Sequence, residues 1–433
     1  MPDVFPAPAA LIPFLDGLPA PWSLMALLLY LTFLLHLVLM NTVVGVAVIT
    51  LLAKLGVVSG FAREAGDVAA HGEHTPDLLL PKGVAFVVNL GIPPFLFMQC
   101  IYGQYIYASS VLMGMWWLSV MLVVMLAYYG LYINMYRHGL SPAARTTALG
   151  ISALLLLWNA FLFVNNMTLL QNPAEWTAYA HNAAGTLLNL GDPQVPPRYL
   201  HVVLSCLAVG GLALALPPAV ALRRLAREGG DPTCAIPLLE NKKRALRWFF
   251  YATAAQFPVG VWFFMALPKA QRALFMGGDA LATALFALSL ILTAACLIAA
   301  WRERAWRAVW GALLVIAMMA GMRTLLRSSM LEPYYAPQMR ELDFGPLALF
   351  LGALGLSLAA LVWLARVYLR HKAPPDAAGA EAAGAGTADP ALVRDIVRMR
   401  KREALMVIEL AITGKDDEES PNGDNGRNGG AAS

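Results

Sequence analysis

The sequence predicts an all-α integral membrane protein of about nine transmembrane helices, with its N-terminus outside and its C-terminus in the cytoplasm. Three observations predict this. Of 433 residues, 59% are hydrophobic and 13% charged, with a mean hydropathy of +0.61; a soluble domain carries about 25% charged residues. Apolar runs on the order of 20 residues, enough to cross a bilayer, recur along the whole chain. Basic residues fill every second loop. The net charge of +4 is small and sits in those loops, which makes it a topology signal and not a nucleic-acid footprint. Lipid is the partner it implies; nucleic acid is not.

The elements follow in order. Residues 1–21, "MPDVFPAPAALIPFLDGLPAP", form an outer segment without the basic start of a cleaved leader, so the first apolar run is expected to stay as a helix. Nine spans follow, at 22–54, 84–112, 115–136, 146–170, 198–222, 246–267, 279–301, 305–326 and 345–370. The first is longer than a bilayer of ~30 Å requires at 1.5 Å per residue, so it must tilt or protrude. Pro93 and Pro94 lie inside the second, where a kink is expected. The loops after spans 1, 3, 5 and 7 carry Lys54, Arg63, Lys82, Arg137, Arg145, the cluster "RRLAREGGDPTCAIPLLENKKRALR", Arg302, Arg304 and Arg307. The loops after spans 2 and 4 carry almost none, and Arg340 is a mild exception on the outer side. This alternation sets the expected orientation. Spans 22–370 make one transmembrane domain. From 371 to 433 a cytoplasmic tail begins with an Ala/Gly/Pro linker, continues as an amphipathic helix over about 388–414 and ends in a stretch of disordered composition.

Chemistry-bearing residues are few. Cys100, Cys206, Cys234 and Cys296 form no CxxC or CxxCH, which excludes a zinc ribbon and a covalently attached c-type haem and leaves packing as their role. Five of the seven histidines lie in loops or at basic span ends. His36 and His201 lie inside spans 1 and 5, and an ionisable residue there is a functional candidate. Imidazole in an apolar bundle suits haem iron; the other reading is a neutral histidine bonded to a neighbouring helix. By position in their spans His36 lies deeper than His201, so two separate haems fit better than one iron shared by both. Arg323 and Arg327 stand one turn apart at the outer end of span 8. Arginine binds carboxylates, such as haem propionates, as a planar fork; the other reading is a pair of arginines reaching water. The stretch "FVNNMTLLQNPAEW" brings Asn166 and Gln171 to the same outer face, where amides can bond a haem edge, a quinone head group or helix-end carbonyls, and Trp176 fits an aromatic belt.

With these residues in hand, the chain resembles subunit I of the cytochrome bd quinol oxidases. The resemblance runs over roughly 22–370 and rests on "NNMTLLQNP" at the end of span 4, on His201 in "RYLHVVL" opening span 5, on His36 and Gly45 in "LHLVLMNTVVG", on "FVVNLGIPPFLFMQ" in span 2 and on Arg327 in "LLRSSML". It implies nine spans with an outer N-terminus, a low-spin haem b on His201 and a second haem on His36. It also implies a methionine opposite His201, for which Met276 stands nearest and Met265 second. The chain departs from that pattern too. Span 3, "MWWLSVMLVVMLAYYGLYINMY", lacks the two glutamates of the family. The long quinol loop after span 6 shrinks to "PKAQRALFMGGD", and Thr324 or Arg323 stands where a carboxylate is expected.

The function expected from this reading is electron transfer by a b-type cytochrome of the inner (cytoplasmic) membrane. It would carry one or two haems b and no haem d, and would work between the quinol pool and a c-type cytochrome on the outer side. Two alternatives stay open: a bd-type oxygen reductase, and a cofactor-free transporter or structural subunit.

Overall fold

The computed structural model describes residues 20–58, 79–135, 139–228, 235–335 and 344–371. All but the last two residues of the expected outer segment, and the tail from 372 with its amphipathic helix, lie outside these. The described chain is all-α. Its long helices are α1 (Trp22–Lys54), α2 (Leu80–Leu112), α3 (Gly114–Met135), α4 (Pro142–Gln171), α5 (Val195–Glu228), α6 (Ala235–Ala266), α7 (Ala280–Trp301), α8 (Ala305–Leu331) and α9 (Phe344–His371). Eight of them, α1 to α8, are long and apolar enough to cross a membrane, so the protein is a multi-pass membrane protein; α9 has a shorter apolar core at Ala348–Leu364.

Local chemistry sets several ends. Ser141 caps α4 by accepting from the Ala144 N–H, with Pro142 at the first helical position. Asp279 caps α7 through the Ala282 N–H at 2.7 Å. Lys54 in the last turn of α1 donates to Asn134 Oδ1 near the end of α3 at 2.9 Å. The sequence starts span 6 at 246, whereas α6 starts at Ala235. The added turns are basic on one side, but Leu238 and Ala245 are buried on the other. A helix can therefore continue where mean hydropathy already reads as loop. Likewise α8 runs on to Leu331, so Arg323 and Arg327 lie within the helix. In α2 the helix passes through Pro93 and Pro94, and its non-helical backbone falls later, at Tyr102 (φ −123°, ψ 34°).

Contacts between helices give their directions. Cys206 Sγ donates to Asn41 Oδ1 at 3.2 Å, and Gly210 lies against Gly45 four residues further along both chains, so α1 and α5 run parallel. Met98–Arg327 and Tyr105–Tyr334 share one offset of 229, so α2 and α8 are parallel too. Gly83 meets Val43 and Gly91 meets His36, so α1 and α2 are antiparallel. Packing is tightest where side chains are smallest. A methyl on Gly45 would collide with the Cys206 carbonyl oxygen, which is how small residues let membrane helices approach. A core of Val43, Ala47, Ile49, Leu212, Ala245 and Phe249 joins α1, α5 and α6. A second, aromatic core joins Tyr102, Tyr105, Leu162, Leu169, Trp176 and Leu331. Leu118 of α3 (79% exposed) and Leu356 of α9 (75%) illustrate the outward apolar face that lipid would cover.

Candidate functional site

The two buried-span histidines are level. Asn41 pairs with Cys206 and Gly45 with Gly210, an offset of 165 in each case. The same offset carries His36 to His201. Depth counted from the span starts was therefore misleading: α1 has 14 residues ahead of His36 and α5 only six ahead of His201, so α1 overshoots α5 by about 12 Å at 1.5 Å per residue. The faces differ, however. His36 precedes Gly45, and His201 precedes Gly210, by nine positions, or about 180° around a helix of 3.6 residues per turn. Each imidazole thus points away from the α1–α5 contact, and the pair does not converge on one iron.

His36 lies against α2. Its Nδ1 is 3.1 Å from the Val87 carbonyl oxygen. A Cβ at position 91 would stand 2.9 Å from its Cε1, so Gly91 makes room for the ring. The carbonyl can only accept, so Nδ1 carries the proton and Nε2 keeps its lone pair. That is the tautomer of a metal-ligating histidine with its orienting carbonyl. His201 is half-buried, and no hydrogen bond to its ring is formed among the described residues.

One turn ahead of His201 stands Arg198, on the same helix face. It donates from Nη1 to Gln171 Oε1 at 3.0 Å and from Nη2 to Gln194 Oε1 at 3.1 Å, and its guanidinium lies 5.2 Å from the centre of the Phe263 ring. Asp192 is the acid within electrostatic reach of it. Arg323 sits over the Phe33 ring at 4.4 Å and feels both Arg198 and Arg327. Arg327 is 3% exposed; its Nη1 meets only the weak acceptor Met98 Sδ at 3.1 Å, its face covers Tyr102 at 4.7 Å, and its Nε is buried without a partner. None of the three forms a salt bridge among the described residues. An unpaired buried charge costs several kcal/mol, so Arg327, with its Nε unpartnered, is the one of the three that would gain from an anionic oxygen atom.

The sequence matches no protein-family model and no curated protein. The chemistry of the site rests on its own residues.

The amides have structural employment. Asn166 accepts from Ser109 Oγ at 3.2 Å and reaches Ser110 Oγ at 3.5 Å, which ties α4 to α2. Asn165 Oδ1 accepts the Asn189 N–H, and the Asn189 amide donates to Thr168 and to Asp192. Gln171 holds Arg198. The string "NNMTLLQNP" therefore fastens the loop ahead of α5 and aims Arg198. Met276 lies in the irregular turn Leu274–Gly278 before α7 and is 68% exposed; Met265 is 61% exposed. Neither sulfur is enclosed as a ligand beside His201 would be. Cys234 lies outside the described residues, and Cys206 and Cys296 are buried in packing. Sequence reasoning missed Arg198, although the spacing Arg-x-x-His was legible as one helix face.

Two features match what haem needs: a histidine whose Nδ1 is engaged by a carbonyl, leaving Nε2 as the ring's acceptor, and three neighbouring arginines, one of them with a buried donor that lacks a partner. Haem bound there would supply a reversible one-electron carrier.

Proposed function

We propose that the chain is a b-type membrane cytochrome of the inner membrane that carries electrons through two haems, one on His36 and one on His201. The observation that carries the proposal is the gathering of Arg198, Arg323 and Arg327, of which Arg327 has a buried Nε without a partner, on the side of the bundle where His36 and His201 stand level on opposite faces of one helix pair. His201 and Arg198 share a face, so one group could be held by its metal and its carboxylates together. His36 is oriented by Val87 on the other side. The arginines neutralise the anionic edge and favour the oxidised, more positive metal less, which raises the potential at that end.

A c-type cytochrome at the Arg198 end is the proposed exchange partner, with quinol as the proposed membrane donor. Oxygen reduction of the bd kind is not the proposed activity, because α3 carries no acidic residue to deliver protons at membrane depth.

A reduced-minus-oxidised spectrum with pyridine haemochrome quantification of the purified chain tests the reading. Two haems b per chain are expected. A chain that purifies folded and colourless, and takes up no haem, overturns it in favour of a cofactor-free transporter or structural subunit. Oxygen uptake with an artificial donor is expected to be slow; rapid cyanide-tolerant turnover would return the oxidase reading.

A further inference from the structure

We propose that the hairpin between α7 and α8 holds an anionic phospholipid at the end of the bundle opposite Arg198. A cleft of about 280 Å³ opens there. Its mouth carries Arg302, Arg304 and Arg307, all exposed, and none of them forms an ion pair among the described residues. Its wall is apolar: Leu292, Ala295 and Ile298 run along α7 below the mouth. From Leu292 to Arg302 is ten residues, about 15 Å of helix. Charge at one end and a greasy trough at the other describe an amphiphile with an anionic head.

The one carboxylate of the turn does not neutralise the mouth. Glu303 has a positive φ of 54°, and its carboxylate is 3.6 Å from Lys242 Nζ and 3.6 Å from Lys243 Nζ on α6. Arg304 and Arg302 flank it in sequence and stay free. The trough is open because of its small residues: Gly311 brings α8 against Cys296, where any side chain would meet the sulfur, and Ala295 leaves the rim low. Basic pockets between membrane helices bind phosphate head groups in this way. The occupant is a bilayer phospholipid, whose acyl chain would fill the trough while its phosphate meets the arginines. The inference is independent of the haem reading.

The test is a thermal-shift titration of the full chain in neutral detergent with dioleoylphosphatidylglycerol, dioleoylphosphatidylcholine or inorganic phosphate. A saturable rise in Tm with phosphatidylglycerol alone is expected. A triple Arg302→Gln, Arg304→Gln, Arg307→Gln variant should lose at least tenfold in apparent affinity, and the charge-keeping Arg→Lys triple should retain most of it. Ala295→Trp, an exposed position that fills the trough and leaves the arginines in place, should also lose binding, and it decides the matter if the Gln triple does not fold. An equal response to phosphatidylcholine, a shift with phosphate alone, or unchanged affinity in Ala295→Trp would each overturn the proposal.

Discussion

Arg198 on α5 donates to Gln171 at the end of α4 at 3.0 Å, and that bond aims a guanidinium toward the face that bears His201. It joins the "QNP" string to the histidine helix through an arginine. Gln171→Leu should leave the fold intact while leaving Arg198 held by Gln194 alone. The lost charge-assisted bond is worth about 1.5–3 kcal/mol. The readout is the midpoint potential of the haem proposed on His201, which should move while that of the haem proposed on His36 stays.

The opposite faces of His36 and His201 predict independent sites. With one haem on each histidine, as proposed, His36→Ala and His201→Ala should each lower the haem content from two to one per chain. One haem per native chain, lost in either variant, would mean that the two rings share one iron, contrary to the half-turn between them.

Arg327 offers a prediction in which the sign changes with loading. In the haem-free chain it is a buried cation with poor partners, so Arg327→Met should raise stability by about 1–4 kcal/mol. In the loaded chain the same change removes donors to carboxylate, and haem retention should weaken roughly ten- to a hundredfold. Chemical denaturation of both forms, with haem transfer to an acceptor globin, measures the two effects.

At the α1–α5 contact, Gly45→Val places methyl groups where the Cys206 carbonyl stands. The helices must separate, at a cost of about 1–3 kcal/mol. A fall in Tm with both haem spectra broadened is expected, because the contact sets the level of both histidines. A change in one spectrum alone would count against the shared register.

Tyr335, beyond the end of α8, donates to the Ile101 carbonyl at 2.7 Å. Burial, with Tyr102 and Tyr105 close by, pushes its hydroxyl up to about 12 from 10. The folded state therefore holds the proton more tightly than the unfolded chain. Its contribution is complete below pH 10 and is lost as pH rises from 10 to 12. Melting between pH 9 and 12 should be steeper for the native chain than for Tyr335→Phe.

The membrane class and the helix order were legible because both follow from local averages. A run of apolar residues identifies a span wherever it lies, and Ser141-Pro142 and Asp279 mark helix starts by short-range bonding. The start of α6 was not legible, since its basic turns bury only one side. Asn166 and Gln171 were legible as polar residues at a span end. Their employment was not, because it depends on Ser109 and Arg198, which are distant in the chain.

Alone, the sequence determined that this is an all-α multi-pass membrane protein with two histidines within its spans and arginines at the end of one. Only the tertiary structure decided that the histidines are level and face apart, and that Arg198 joins Arg323 and Arg327. Hydropathy adds residue by residue along one segment. The register between α1 and α5 is instead fixed by where Gly45 and Gly210 can touch, and no local pattern carries the offset of 165 between them.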